Sequence, residues 1–198
     1  MEDPQRARHG TVGKVLDGTE VLIVDGEGNE VPPGQSGRIC GRGPHCNGGY
    51  FNDRAATDSC WQGGFFDTGD LGRIDPDGFL VLEGRVKDVI IRGGQNISAG
   101  EVEAILAGHP AIVEAAVVPM ADEEMGERAC AFVVAVEGRQ LSLGDVVAFM
   151  KGQGVAAFMI PERLELIREM PTNSAGKVDK SLLGTRVAET IKRERPAG

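Results

Sequence analysis

Three stretches of this chain set side chains in arrangements that can do chemistry. They are Phe66-x-Thr68-Gly69-Asp70-Leu71, then Gly84-Arg85-Val86-Lys87-Asp88 running on to Glu101-Val102-Glu103, and finally Pro171 to Lys180. Lys177 follows Asn173-Ser174-Ala175-Gly176. A lysine on such a loop can meet carboxylate and phosphate oxygens as a point charge, although position alone reads as a surface lysine after a turn. Asp70 offers a carboxylate, which can accept two hydroxyl hydrogen bonds at once and so suits a vicinal diol. Its plain alternative is a turn-capping aspartate. Arg85 has a plain reading too, a surface salt bridge to Glu83 or Asp88.

The elements that must position these residues change in kind along the chain. From Thr11 to Leu82 the pattern is short strands and turns, with strands at Glu20–Val24, Gly37–Cys40 and Phe79–Leu82. Asp25-Gly26-Glu27-Gly28-Asn29, Pro32-Pro33-Gly34 and Asp75-Pro76-Asp77-Gly78 punctuate them, which favours a small barrel or sheet. Val89-Ile90-Ile91 then leads into Gly93-Gly94, and Ser98 with Glu101 stands in capping-box spacing at a helix start.

Beyond that point the chain reads as α+β. A helix is expected over 99–107, with Val102, Ile105 and Leu106 on one face. His109-Pro110 ends it, because a residue before proline disfavours helical geometry. Strands are expected at 112–118, with Val113, Ala115 and Val117 on one side, at 129–136 and at 161–167. Ser142 and Asp145 open another helix with Val146, Val147, Phe149 and Met150 inward. A last helix runs from Asp179 to about Arg193, and the tail from Lys192 to Gly198 is expected to fray.

Composition narrows the function classes. A formal net charge of -9 disfavours general nucleic-acid binding through phosphate neutralisation. No apolar run approaches the ~20 residues a membrane helix needs, and MEDPQRARHG lacks a leader's apolar segment. A cytoplasmic location is the expectation. Cys40, Cys46, Cys60 and Cys130 form no C-x-x-C pair, and His9, His45 and His109 supply no ligand ladder. His45-Cys46 is the nearest approach to a metal site, where zinc wants four clustered ligands. No metal site is expected.

Taken together, Gly84-Arg85-x-Lys87-Asp88, Ile91-x-Gly93-Gly94-x-Asn96-Ile97 and Glu101-Val102-Glu103 resemble the hinge region of AMP-forming acyl-CoA synthetases and aryl-acid adenylating enzymes. Thr68-Gly69-Asp70 upstream and Gly176-Lys177-Val178-x-Lys180 downstream match the same family in the same order. The resemblance implies residues 1–84 as the β-rich end of the large adenylation domain and residues 85–198 as the C-terminal lid. The lid would have a three-stranded core sheet, with the hinge at 85–88.

By the same resemblance Lys177 is the catalytic lysine, while Asp70 and Arg85 bind the nucleotide. Lys87 is the hinge residue that absorbs a change in backbone dihedrals. Gly94 lies beside the pantetheine tunnel, where a missing Cβ lets a thiol arm pass; a plain turn glycine would look identical. The implied reaction joins a carboxylic acid to ATP, releasing pyrophosphate, and then to CoA. A carrier protein as acceptor, or a non-catalytic lid or interaction fragment, are the other readings. The family's glycine/serine/threonine-rich phosphate loop is not in this sequence, nor is the region supplying its magnesium-binding glutamate. ATP or AMP and CoA are therefore expected as ligands, with Mg2+ held mainly by a missing N-terminal domain and the chain inactive without it.

Overall fold

The computed structural model describes Arg8, residues 10–46 and residues 48–194. Residues 1–7, His9, Asn47 and residues 195–198 of the expected tail lie outside the described residues. The chain divides into two compact units, Met1–Lys87 and Asp88–Gly198. No helix among the described residues is long and apolar enough to cross a membrane.

The first unit is a six-stranded antiparallel sheet. Its strands are β1 (Gly13–Lys14), β2 (Glu20–Val24), β3 (Gly37–Arg42), β4 (Trp61–Gln62), β5 (Phe65–Ile74) and β6 (Phe79–Arg85). They lie in the order β1-β6-β5-β3-β2, with β4 added to β5. Two aspartates build the turns. Asp25 Oδ1 accepts the N–H groups of Glu27 and Asn29, and Asp75 Oδ1 those of Asp77 and Phe79, each at 2.9 Å. These backbone donors, led by Asn29 and Phe79, hold both carboxyls below their ordinary pKa. Helix α1 (Arg54–Cys60) was not expected, because none of its residues is buried and periodicity gives no sign of it. Its local signal is Asp53, whose side chain accepts the Ala56 N–H at 2.9 Å.

The second unit opens with a hairpin, β7 (Val89–Arg92) and β8 (Gln95–Ser98), followed by α2 (Ala99–Leu106), β9 (Ile112–Asp122) and β10 (Gly126–Ala135). Then come α3 (Leu143–Gly152), β11 (Arg163–Leu166) and α4 (Lys180–Glu194). Strand β10 carries β9 antiparallel on one side and β11 parallel on the other, and it joins the hairpin through Gly126 and Arg92. The three expected strands are all present, and the hairpin extends them to a five-stranded sheet.

This sheet is covered on both faces. Val117, Ala129, Ala131 and Val133 pack with Val102, Leu106, Val146 and Met150 of α2 and α3. Ala116, Val118, Cys130 and Phe132 pack with Leu183 and Val187 of α4. So Ala115 and Val117 share a buried face as expected, but Val113 lies 66% exposed, at the strand's start beyond the helices' cover. Burial of each such Val or Leu is worth ~1.5–3 kcal/mol, which makes these two clusters the stabilising centre of the unit.

Capping fixes the helix starts. Ser98 Oγ accepts the Glu101 N–H at 3.3 Å. Ser142 and Asp145 form a full capping box, Ser142 Oγ accepting from Asp145 N–H and Asp145 accepting from Ser142 N–H. The tail differs from expectation over 192–194, which remain helical. Arg163 Nη1 and Nη2 each donate to a Glu194 carboxylate oxygen at 2.7 Å, and this bidentate pair holds the last turn.

Candidate functional site

In the first unit the Thr68-Gly69-Asp70 stretch interrupts an otherwise regular ladder. Between β3 and β5 the register passes from Arg38↔Leu71 to Cys40↔Asp67, so β5 carries two extra residues there. Gly69 takes φ +71, a left-handed conformation that most side chains resist. Thr68 Oγ1 donates to the Ile39 carbonyl at 3.0 Å and accepts the Asp70 N–H at 3.1 Å. Asp67 Oδ1 accepts the Gly69 N–H at 2.9 Å, and its other oxygen pairs with Arg38. The bulge is thus pinned by its own side chains, and it leaves Asp70 without a partner on β3.

Asp70 faces Arg85 across the β5–β6 ladder, and Arg85 Nε donates to Asp70 Oδ1 at 2.8 Å. The two residues read separately as nucleotide contacts are therefore one ion pair. The Asp70 side chain is 30% exposed, and a carboxylate has about four acceptor positions, so one guanidinium contact leaves it able to accept hydroxyls. Arg73 donates to Glu83 at 2.9 Å through its Nε.

Lys87 lies exposed in a single 3-10 turn, Val86–Asp88, and is the last residue of the first unit. In the second unit, Gly93 and Gly94 make the two-residue loop between paired Arg92 and Gln95, with φ +53 and +82. Positive φ at both positions is the hairpin geometry that matches strand twist, so the turn alone accounts for glycine at 94. A Cβ on Gly94 would meet nothing within 4 Å. The hairpin tip is anchored, Gly93 N–H donating to the Met125 carbonyl at 2.8 Å and Ile91 N–H to Glu127 at 2.7 Å.

Lys177 sits on a short, internally bonded loop. Asn173 Oδ1 accepts the N–H groups of Ala175 and Lys177 at 2.9 and 3.1 Å, and Asn173 N–H donates to the Lys177 carbonyl at 2.7 Å. Thr172 and Val178 bridge its base. The loop is a built turn, because the Asn173 side chain supplies the acceptor for two of its N–H groups. Lys177 itself is exposed and has no ion-pair partner among the described residues.

Just after this loop, Lys180 joins two carboxylates from separate elements. Lys180 Nζ lies 2.8 Å from Glu103 Oε1 and 3.3 Å from Asp88 Oδ2. At the hairpin, Arg92 donates through Nε and Nη2 to Glu162 Oε1 at 3.1 and 2.7 Å, which raises the arginine's pKa. Sequence spacing does not expose either cluster, since the partners lie 77 and 70 residues apart.

The sequence profile of the AMP-binding enzyme C-terminal domain matches residues 101–177, and that of the AMP-binding enzyme matches residues 1–51. The chain belongs to the AMP-binding, adenylate-forming enzyme family. It is 41% identical over 185 residues to the medium-chain fatty-acid–CoA ligase of Escherichia coli K12, covering 92% of this chain and 33% of that protein. It is 36% identical to the 2,3-dihydroxybenzoate-AMP ligase of Bacillus subtilis 168, covering 96% of this chain and 36% of the relative. Among solved structures, o-succinylbenzoate CoA synthetase from Bacillus subtilis, in complex with its acyl-adenylate intermediate, matches with TM-score 0.81 at 34% identity. That match covers 88% of this chain and 35% of the synthetase.

The chain thus spans about a third of the length of these adenylate-forming relatives. Among the described residues no three His, Cys, Asp or Glu side chains converge as a metal site. The described residues therefore offer no such cluster to hold the Mg2+ that accompanies ATP.

Proposed function

We propose that this chain is the C-terminal portion of an ATP-dependent carboxylic acid–CoA ligase. In the first half-reaction a carboxylate oxygen attacks the α-phosphorus of ATP, and the bond to pyrophosphate breaks, leaving acyl-AMP. In the second, a thiol attacks the acyl carbon and AMP departs. Catalysis of the first step is mostly positioning and charge stabilisation at the phosphoryl group. Lys177 does this as a cation, with its ammonium between the carboxylate and an α-phosphate oxygen. Asp70 accepts the ribose hydroxyls, and Arg85 holds that carboxylate in place. Residues 1–84 belong to the large domain and residues 85–198 form the lid, which turns about Lys87 between the half-reactions. Gly94 sits beside the path of the thiol arm.

The observation that supports this reading is Lys177, an exposed lysine without an ion-pair partner among the described residues, held on a bonded loop within the Gly176-Lys177-Val178-x-Lys180 stretch that resembles the family's catalytic-lysine motif. ATP, a carboxylic acid and CoA are its ligands, with Mg2+ supplied mainly through the N-terminal region, and the cytoplasm its compartment. The similarity to an aryl-acid–AMP ligase at 96% coverage supports a second reading, in which a carrier protein is the acceptor.

In the complete enzyme, Lys177→Ala should lower adenylation about a hundredfold or more, while thioester formation from preformed acyl-AMP persists. Equal loss of both half-reactions would remove Lys177 from this role. Supplying CoA or a carrier protein as the thiol distinguishes the two acceptors.

A further inference from the structure

Lys180 begins α4, three residues after Lys177; its side chain is 25% exposed and its ammonium lies between two carboxylates. One is Glu103 of α2, whose Oε1 also accepts the Val117 N–H at 2.6 Å on the outer edge of β9. The other is Asp88, the first residue of the second unit. The loop's exit is fixed nearby, Asp179 N–H donating to the Pro171 carbonyl at 2.8 Å and Asp179 Oδ1 accepting the Leu182 N–H at 3.0 Å. Backbone bonds therefore close the loop on itself. Met170 and Val178 pack the loop's base into the cluster with β9, and Lys180 adds polar ties to α2, to β9 through Glu103, and to the start of the unit.

We infer that Lys180 is a positioning residue, clamping the Lys177 loop to the Asp88 end of the unit through Asp88 and Glu103. An exposed ion pair contributes little by itself. This one is partly buried, and a single ammonium serves two carboxylates from separate elements, so its geometric consequence exceeds that of a surface pair. For catalysis the inference rests on reading Lys177 as the adenylation lysine. A loop displaced by about an ångström would then lower the chemical rate without touching substrate affinity.

The test begins with the full 198-residue chain. Amide hydrogen exchange at Ala175, Gly176 and Lys177 is compared in wild type, Lys180→Met, Lys180→Arg and Glu103→Gln. Lys180→Met should speed exchange at these amides about tenfold, with β10 and α3 unchanged. Lys180→Arg, which can bridge both carboxylates, should restore wild-type rates. Glu103→Gln keeps an acceptor for Val117 but removes the charge, so loop exchange should rise there too; it decides the matter if Lys180→Met fails to fold. Unchanged loop exchange in the folded variants overturns the clamp.

In the complete enzyme, Lys180→Met should lower the adenylation kcat about tenfold with the KM for ATP within about twofold. Thioester formation should suffer at least fivefold less, and Lys180→Arg should recover the rate. Equal losses in both half-reactions would reduce Lys180 to a structural part. The exchange result does not depend on catalysis, so failure of the Lys177 reading leaves it standing.

Discussion

Ile23, Val24 and Ile39 are the buried apolar side chains of the first unit among the described residues, whereas the second unit buries such residues on both faces of its sheet. The first unit's one described helix, α1, contributes no buried residue, and Leu82, Val12, Leu16 and Phe51 stand 49–94% exposed. A sheet needs another layer against its apolar face. The second unit has that layer in α2, α3 and α4, and it reads as a self-sufficient domain. The first reads as part of a larger one, in keeping with relatives about three times as long.

The sharpest way to break this comparison is to separate the units. Residues 88–198 should unfold cooperatively with a well-dispersed NMR spectrum, and residues 1–87 alone should not. A cooperative transition from the shorter piece would contradict the contrast. Within the whole chain, Leu106→Ala should destabilise by about 3 kcal/mol, because a fully buried leucine leaves a cavity. Leu82→Ala, at a half-exposed position, should cost less than ~0.5 kcal/mol. Denaturant titration of both variants decides it, and equal effects would erase the distinction.

A smaller effect comes from Cys130, which burial on the α4 side pushes up to about 12. An unfolded thiol ionises near pH 9 while the folded one stays neutral, so folding is favoured below pH 9. That contribution falls by about 1.4 kcal/mol per pH unit from 9 toward 12. Cys130→Ala should flatten this part of the stability profile, and the native thiol should resist alkylation at pH 8. Smaller again, Ser142→Ala should cost about 1 kcal/mol by opening the α3 capping box, as thermal unfolding would read. The Ser142 hydroxyl and N–H depress the Asp145 pKa. The cap's stabilisation is therefore present above the ordinary carboxylate range and lost as pH falls through the lowered pKa.

Legibility in the sequence followed the range of the interaction. Ser142 with Asp145, Asp25 and Asp75 act within four residues, and each marked its turn or helix start directly. Strand β8 did not, because Gln95-Asn96-Ile97-Ser98 is mostly polar and is extended only through pairing with β7 across the two-glycine loop. Strand β9 was assigned a single apolar side, yet its Ala115-Ala116-Val117-Val118 run is covered on both, the mark of a central layer. At the site, motif residues were legible one by one. Their pairing was not: Asp70 with Arg85 depends on a bulge, and Lys180 with Glu103 and Asp88 on the packing of α4 near α2 and β9.

The most direct test of the account is ATP–pyrophosphate exchange by this chain alone, shown to be folded, across aromatic, alicyclic and medium-chain acids. The account predicts no exchange, because this sequence contains no glycine/serine/threonine-rich phosphate loop to hold the nucleotide's phosphates. Exchange with any of these acids would show a complete adenylation site within these 198 residues and contradict it.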